Sequence, residues 1–268
     1  MRNHVAIIGS NGLIGRAIQS SPPPFEIMAY SSKDLSGASL FDISCKETWK
    51  IILGRRHKRA ILLSWRHLND YHTVKHITEN LVNSIELVQN MIDSGLEEIV
   101  VAGTCYEYGL QIGCLSPLQD TKPITAYGIS KNLLNQSLSV LCSKSNVRLC
   151  WTRIFFPYSL AQRRSSLLPS LILAHESRIP SIKLGPADLI RDFVPIDQVA
   201  HHFISLMQNS DVQGVFNCGT GKPISLRSFV EHLILKYSLD VKPLFNELEP
   251  RTFEPFAAWA DMSTCKIK

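Results

Sequence analysis

Apolar and polar positions along the chain fall into two alternating rhythms. Short runs rich in β-branched and other apolar residues occupy 4–8, 25–30, 39–43, 60–63, 98–102 and 148–153, and each reads as a buried strand. Between them lie longer stretches of helical period, clearest over 72–94 and over 125–141, where Leu134, Leu138 and Leu141 recur at helical spacing. Strands that alternate with helices build a parallel sheet, because returning to the same edge needs a crossover of helical length. The pattern predicts an α/β fold with a doubly wound parallel sheet over 1–155. After Phe156 the rhythm loosens as Pro157, Pro169, Pro180, Pro186 and Pro195 interrupt the chain. A smaller, irregular α/β lobe is expected over 156–268, with part of about 190–217 packing back on the sheet domain.

Composition narrows the class further. With 45% apolar and 19% charged residues in 268, the chain has ample material for a core and does not resemble a disordered segment. Its 28 basic and 23 acidic side chains leave a charge of +5, too dilute to indicate nucleic acid, though it suits an anionic small molecule. No apolar run approaches the ~18 residues that span a bilayer. The run before Gly9 is too short for a secretory leader, so a cytoplasmic protein with no membrane partner is expected. The cysteines (Cys45, Cys105, Cys114, Cys142, Cys150, Cys218 and Cys265) are scattered without CxxC spacing and read as reduced thiols. His72 and His76 stand at i and i+4 but lack a third ligand, which predicts a solvated helix face and no metal. The basic run at 55–59 reads as an exposed loop.

Candidate chemistry begins where the first strand ends. Gly9-Ser10-Asn11-Gly12-Leu13-Ile14-Gly15 follows that strand and opens a helix, the arrangement in which glycines let backbone approach a pyrophosphate while the helix N-terminus offers free N–H groups. A glycine-rich turn that binds nothing has the same composition. At the end of the second strand, Tyr30-Ser31-Ser32-Lys33 offers hydroxyls and a cation where an NAD enzyme places a ribose-binding acid, so a 2′-phosphate would be welcome. Asp34 keeps NAD open. Asp42-Ile43 ends the third strand, where the carboxylate could reach an adenine amino group or simply cap a helix.

Tyr127 and Lys131 stand at i and i+4, one helical turn apart on one face. A fixed cation favours phenolate, and this predicts a Tyr127 pKa drawn down toward neutrality. The same spacing with Leu134 and Leu138 also suits a core stripe with Lys131 snorkelling. Thr104, beyond the strand at 98–102, would present a hydroxyl beside Tyr127, because carboxyl ends of parallel strands face the ligand crevice.

With Gly9-x-x-Gly12-x-x-Gly15, Asn80, Thr104 before Gly109, Tyr127-x-x-x-Lys131, Arg153 in TRIFFPYS, Arg191-Asp192-Phe193-Val194-Pro195, Asn217-Cys218-Gly219 and Arg251 before Asp261, the chain resembles the extended short-chain dehydrogenase/reductases. Within them it resembles the NAD(P)-dependent sugar-nucleotide epimerase/dehydratase group. The resemblance implies a Rossmann domain over 1–155 and a substrate-binding lobe over 156–268. It implies Tyr127 as general acid/base, Lys131 as ligand of the nicotinamide ribose, and Thr104 as hydrogen-bond partner of the reacting sugar oxygen. Gly9, Asn11, Gly12, Leu13, Ile14, Gly15, Ser31, Ser32, Lys33, Asp42, Ile43, Ser64 and Asn80 would line the dinucleotide. Cys105, Tyr106, Phe156, Arg191 and Arg251 would line a nucleotide-sugar, with the two arginines on its diphosphate. A homodimer through the helices at 72–94 and 125–141 is implied as well.

Departures from the family pattern shape the functional expectation. Trp65 stands where the family has small alanines beside the cofactor, and Phe156 where it has asparagine. Cys105-Tyr106 replaces the acid pair that a dehydratase needs after Thr104, which argues against elimination of water. Cys105, with no histidine placed to activate it, reads as pocket lining. The expected activity is NADP-dependent reduction of a nucleotide-linked 4-keto-6-deoxyhexose. An NAD-dependent nucleotide-sugar 4-epimerase is the alternative, and a dinucleotide-binding sensor or scaffold without turnover is the alternative of another class.

Overall fold

A computed structural model describes residues 4–33 and 37–263. Strands β1 (His4–Ile8), β2 (Glu26–Ser31), β3 (Ala38–Leu40), β4 (Arg59–Leu62) and β5 (Glu98–Thr104) are interleaved with helices α1 (Leu13–Ser20), α2 (Trp49–Leu53) and α3 (Val82–Asp93). Next come β6 (Gly113–Leu115), α4 (Ala126–Lys144), β7 (Arg148–Ile154) and β8 (Phe156–Tyr158). The remainder comprises α5 (Leu167–Glu176), β9 (Ser181–Lys183), β10 (Ile190–Arg191), β11 (Phe193–Pro195), α6 (Ile196–Gln208), β12 (Gly214–Cys218), β13 (Ile224–Ser225), α7 (Leu226–Lys236), β14 (Lys242–Leu244) and β15 (Ala257–Ala260).

One parallel sheet of seven strands, in the order β12-β7-β5-β4-β1-β2-β3, forms the centre of the molecule. Its order reverses between β1 and β4, which opens a crevice at the carboxyl ends of those strands. The strands are buried on both faces, as parallel strands covered by helices must be: Ile7, Ile61, Ile99 and Val100 have no exposed surface. One core joins the sheet to α1 and α6 through Ile18 and Phe203, and the other joins it to α2, α3 and α4 through Trp49, Leu87 and Leu134.

The pattern of strands in the sequence accounts for six members of this sheet. The seventh, β12, pairs in parallel with β7 from Gly214↔Cys150 to Cys218↔Ile154, so the chain returns after the segment that follows β7 to complete the sheet. Around that excursion, β13-β10-β15-β6 form a mixed four-stranded sheet, β11 pairs with β8, and β14 with β9. Phe229, Leu233 and Leu168 seed a separate core beneath α5 and α7.

The helix expected over 72–94 differs in a way that matters for the site. Ahead of α3, residues His76–Leu81 form a widened π turn, a feature often found at functional sites. His72 is exposed as expected, but His76 is fully buried, on the π turn and on the same inward side as Asn80.

Candidate active site

The loop after β1 has the dimensions of a backbone cradle. Gly9 adopts a φ of +94°, and its N–H and that of Ser10 both donate to Tyr30 O at 3.0 Å. A Cβ on Gly9 would lie 2.8 Å from the Ser64 nitrogen, and one on Gly15 would lie 2.5 Å from Ser10 O. Side chains would thus fill the space that bare backbone leaves. Gly12 caps α1 without a side-chain hydrogen bond, which leaves the first-turn N–H groups of Leu13, Ile14 and Gly15 for an anion, beside half-buried Asn11. These residues fit a dinucleotide pyrophosphate.

The end of β2 is less open than its sequence suggests. Tyr30 is buried, and its hydroxyl is engaged 2.6 Å from His57 Nε2 rather than turned to the crevice. Ser31 is buried too, its hydroxyl accepting from the Lys33 N–H at 3.1 Å. Ser32 and Lys33 are exposed, while Asp34 lies outside the described residues. Asp42 is half-buried; burial raises its pKa, but the Ser44 N–H and hydroxyl, with Arg66, hold it below the usual range. Ile43 packs into the core behind it.

At the carboxyl end of β5, a reciprocal cap fixes Thr104. Its hydroxyl accepts from Tyr106 N–H at 3.3 Å, while its own N–H donates to Glu107 Oε1 at 2.9 Å. Glu107 is fully buried and is held in turn by Arg153 Nε at 2.8 Å and by the Trp151 indole N–H. Across the crevice, Thr125 caps α4 by accepting from Gly128 N–H at 3.0 Å, which starts the helix at Ala126 and puts Tyr127 in its first turn. Lys131 follows one turn later, only 3% exposed, with Nζ donating to Ala102 O at 2.7 Å.

This geometry changes the electrostatics expected of the Tyr–Lys pair. Burial, reinforced by the neighbouring Tyr71, pushes the Tyr127 pKa far up, and a hydrogen bond with Thr104 only partly opposes it. The lowered phenol pKa is therefore not what the fold produces, because the Lys131 ammonium is turned to Ala102 O. Burial pushes Lys131 itself down to about 7, opposed by Glu107.

An aromatic wall surrounds Tyr127. Tyr71 stacks on it at 5.2 Å, Trp65 and Tyr106 meet it edge-on at 6.1 and 6.2 Å, and Phe253 packs on Tyr71 and Tyr106. Asn80 serves the wall indirectly: its Oδ1 accepts from Arg66 N–H at 2.9 Å and its Nδ2 donates to Arg66 O at 3.2 Å, which clamps the loop after β4. Cys105 is buried with its thiol pKa raised by burial.

Glu254 organises the other side of the site. Its carboxylate accepts from Arg191 Nη2 at 3.1 Å, Arg251 Nη1 at 3.0 Å and the Tyr106 hydroxyl at 2.8 Å. Burial raises its pKa, but these three donors bring it below the usual range. Arg191 is buried rather than solvated, with its guanidinium 4.9 Å from the Phe156 ring, and Arg251 is exposed. Asp192 anchors the segment by accepting from Thr220, Gly221 and Ala260 N–H groups. Sequence reasoning brought Tyr106, Arg191 and Arg251 to one place but missed Glu254, whose signal is its position three residues after Arg251, within one tight turn. It missed Tyr71, Phe253 and His76 as well. No group of three or more His, Cys, Asp or Glu side chains suited to a metal occurs among the described residues.

A Rossmann sheet with a glycine cradle at one end of its crevice and Thr104, Tyr127 and Lys131 at the other defines an NAD(P)-dependent oxidoreductase or epimerase. Residues 63–219 match the NAD dependent epimerase/dehydratase family, and the chain belongs to that family. It is 26% identical to the dTDP-6-deoxy-L-talose 4-dehydrogenase (NAD(+)) of Aggregatibacter actinomycetemcomitans over 268 residues, covering 96% of this chain and 98% of that one. It is 24% identical to the dTDP-4-dehydro-6-deoxyglucose reductase of Escherichia coli over 93% of this chain and 86% of that one. The fold matches that of the UDP-N-acetylglucosamine 4-epimerase from Methanobrevibacter ruminantium M1, with a TM-score of 0.83 at 17% identity over 99% of this chain and 92% of that one. The protein is an NAD(P)-dependent enzyme of that family, an oxidoreductase or epimerase.

Proposed function

We propose that the protein reduces the C4 ketone of a nucleotide-linked 4-keto-6-deoxyhexose, with NADPH as reductant. The observation that carries this reading is the Tyr127 phenol beside the Thr104 hydroxyl, with no acid pair following Thr104. Two relatives named for dTDP-linked 6-deoxyhexose oxidoreductases support C4 as the reacting carbon.

When bound, the nicotinamide dinucleotide supplies the hydride. Tyr127 donates its proton to the C4 oxygen, Thr104 orients that oxygen by a hydrogen bond, and Lys131 stabilises the phenolate left behind. Arg191 and Arg251 take the substrate diphosphate in place of Glu254. Tyr71, Tyr106 and Phe253 keep water from the reacting atoms, which strengthens each of these contacts. Exposed Ser32 and Lys33 at the end of β2 favour a 2′-phosphate, which is the basis for NADPH. The enzyme is inferred to work in the cytoplasm as a homodimer that pairs α3 and α4.

The test is incubation with a dTDP-4-keto-6-deoxyhexose and NADPH, following nicotinamide absorbance and product stereochemistry. Stoichiometric oxidation with formation of a C4 alcohol is expected. Interconversion of C4 epimers without NADPH consumption would replace reduction by epimerisation.

A further inference from the structure

Trp65 follows β4 at the point where the glycine cradle gives way to the Thr104, Tyr127 and Lys131 cluster, and its indole is pinned on two sides. On one side Nε1–H donates to His76 Nδ1 at 3.0 Å, and the rings stack at 6.2 Å with 18° between their planes. His76 Nε2 lies 2.9 Å from Asp70 O. A carbonyl oxygen can only accept, so the His76 proton belongs on Nε2 and the Nδ1 lone pair is free to receive the indole N–H. Asn80 Nδ2 reaches the same Nδ1 at 3.4 Å. Burial lowers the His76 pKa and favours this neutral form, although the Asp70 hydrogen bond opposes it.

On the other side, Lys131 Nζ sits 3.8 Å from the indole centroid. Lys131 forms no ion pair among the described residues. Its nearest acid, Glu107 in the turn after β5, already serves Arg153, Trp151 and the Thr104 N–H. The other titratable group facing this ammonium is His76 from the π turn, and Tyr127 stands one turn before Lys131 on the same helix. Tyr71 and Cys105 lie beyond Tyr127, and Asp70 and His67 beyond His76. A buried ammonium with a single carbonyl partner needs another source of negative potential, and the face of an indole supplies it.

We propose that Trp65, oriented by His76, is the positioning residue of Lys131: its indole face takes the part of a counter-ion and holds the ammonium at the end of β5. The contact stands on geometry alone. Its service to catalysis rests on the hydride-transfer reading above.

The experiment compares Trp65→Leu with Trp65→Phe, which have similar apolar bulk and differ in the aromatic face. Titration of Lys131 is followed by the NMR resonances of its Cε and Nζ, assigned by their loss in Lys131→Met, alongside the pH profile of kcat. The Lys131 midpoint in the Leu variant is expected about one pH unit below that in the Phe variant, the size of a partly desolvated cation–π contact. His76→Leu, which frees the indole, is expected to move the midpoint in the same direction and keeps the test open should Trp65→Leu fail to fold. Equal midpoints in the Leu and Phe variants, or an unchanged midpoint in His76→Leu, would overturn the proposal. A shifted midpoint in a protein that turns over no nucleotide-sugar would uphold the contact and overturn the hydride-transfer reading instead.

Discussion

Burying an ammonium costs hydration, and Lys131 regains in direct contact the Ala102 carbonyl and the Trp65 face, with Glu107 acting on it without an ion pair. Because its folded pKa is about 7 against 10.5 in the unfolded chain, the unfolded state binds a proton between those values that the folded state releases. Stability contributed at this site therefore rises with pH across that window and is lowest below pH 7. Lys131→Met is expected to melt higher than the wild type at pH 6, with the gap narrowing by pH 9, and to lose turnover throughout. A gap in melting temperature that is independent of pH would assign the Lys131 charge no cost. Tyr127→Phe, by contrast, removes only a proton donor. Calorimetry is expected to find dinucleotide affinity retained, while kcat falls by ~10²- to 10⁴-fold. Near-normal kcat would make Tyr127 a wall residue like Tyr71. Lys33→Ala is expected to weaken NADPH binding and leave NADH binding unchanged, since an exposed cation at the end of β2 matters only to a 2′-phosphate.

Between β14 and β15 the segment carrying Arg251, Phe253 and Glu254 behaves as a strap, with its carboxylate seated between two arginines and its ring on the tyrosine wall. A nucleotide diphosphate needs the same guanidinium groups, so Glu254 is its internal competitor. Glu254→Gln keeps the shape and removes the charge, and calorimetry is expected to show dTDP binding about tenfold tighter, the worth of one charge-assisted hydrogen bond. Without nucleotide the variant is expected to melt lower, because buried Arg191 loses its counter-ion. Unchanged dTDP affinity would mean that Glu254 and the diphosphate do not share the arginines. Elements of this kind were the least legible in the sequence. The parallel strands were readable because burial on both faces demands unbroken apolar runs, and the cradle and the Tyr127 and Lys131 pair because their spacing is local. The strap, the π turn and the pairing of β12 were not readable in this way, although a return of part of about 190–217 to the sheet domain was expected. What places Glu254 on Arg191, His76 behind Trp65, or Gly214–Cys218 against β7 is a contact between distant segments, which leaves no period in the chain.

The assembled molecule leaves apolar side chains in water on the helices that cover one face of the sheet. Val82 on α3 is 51% exposed, and Leu133 and Val140 on α4 are 40% and 55% exposed. Leu133 and Val140 lie two turns apart on the same side of their helix, while Leu134 and Leu138 on the other side belong to the core. Single exposed apolar residues are ordinary, but Leu133 and Val140 form a stripe along α4, with α3 packed beside it, that a second copy could cover by antiparallel pairing of the same surface. A stable dimer buries on the order of 1,200–2,000 Å² in total, which a four-helix contact of this length can supply. Tyr127 and Lys131 belong to α4 itself, so pairing would stiffen the helix that carries the proton donor without contributing a residue to the site. Val140→Glu, which places like charges across the two-fold contact, is expected to convert a dimer to a monomer in sedimentation equilibrium, with secondary structure unchanged and dinucleotide binding weakened through a looser α4. A wild type that already sediments as a monomer would remove the stripe's role, and an unchanged dimer in the variant would place the contact on another surface.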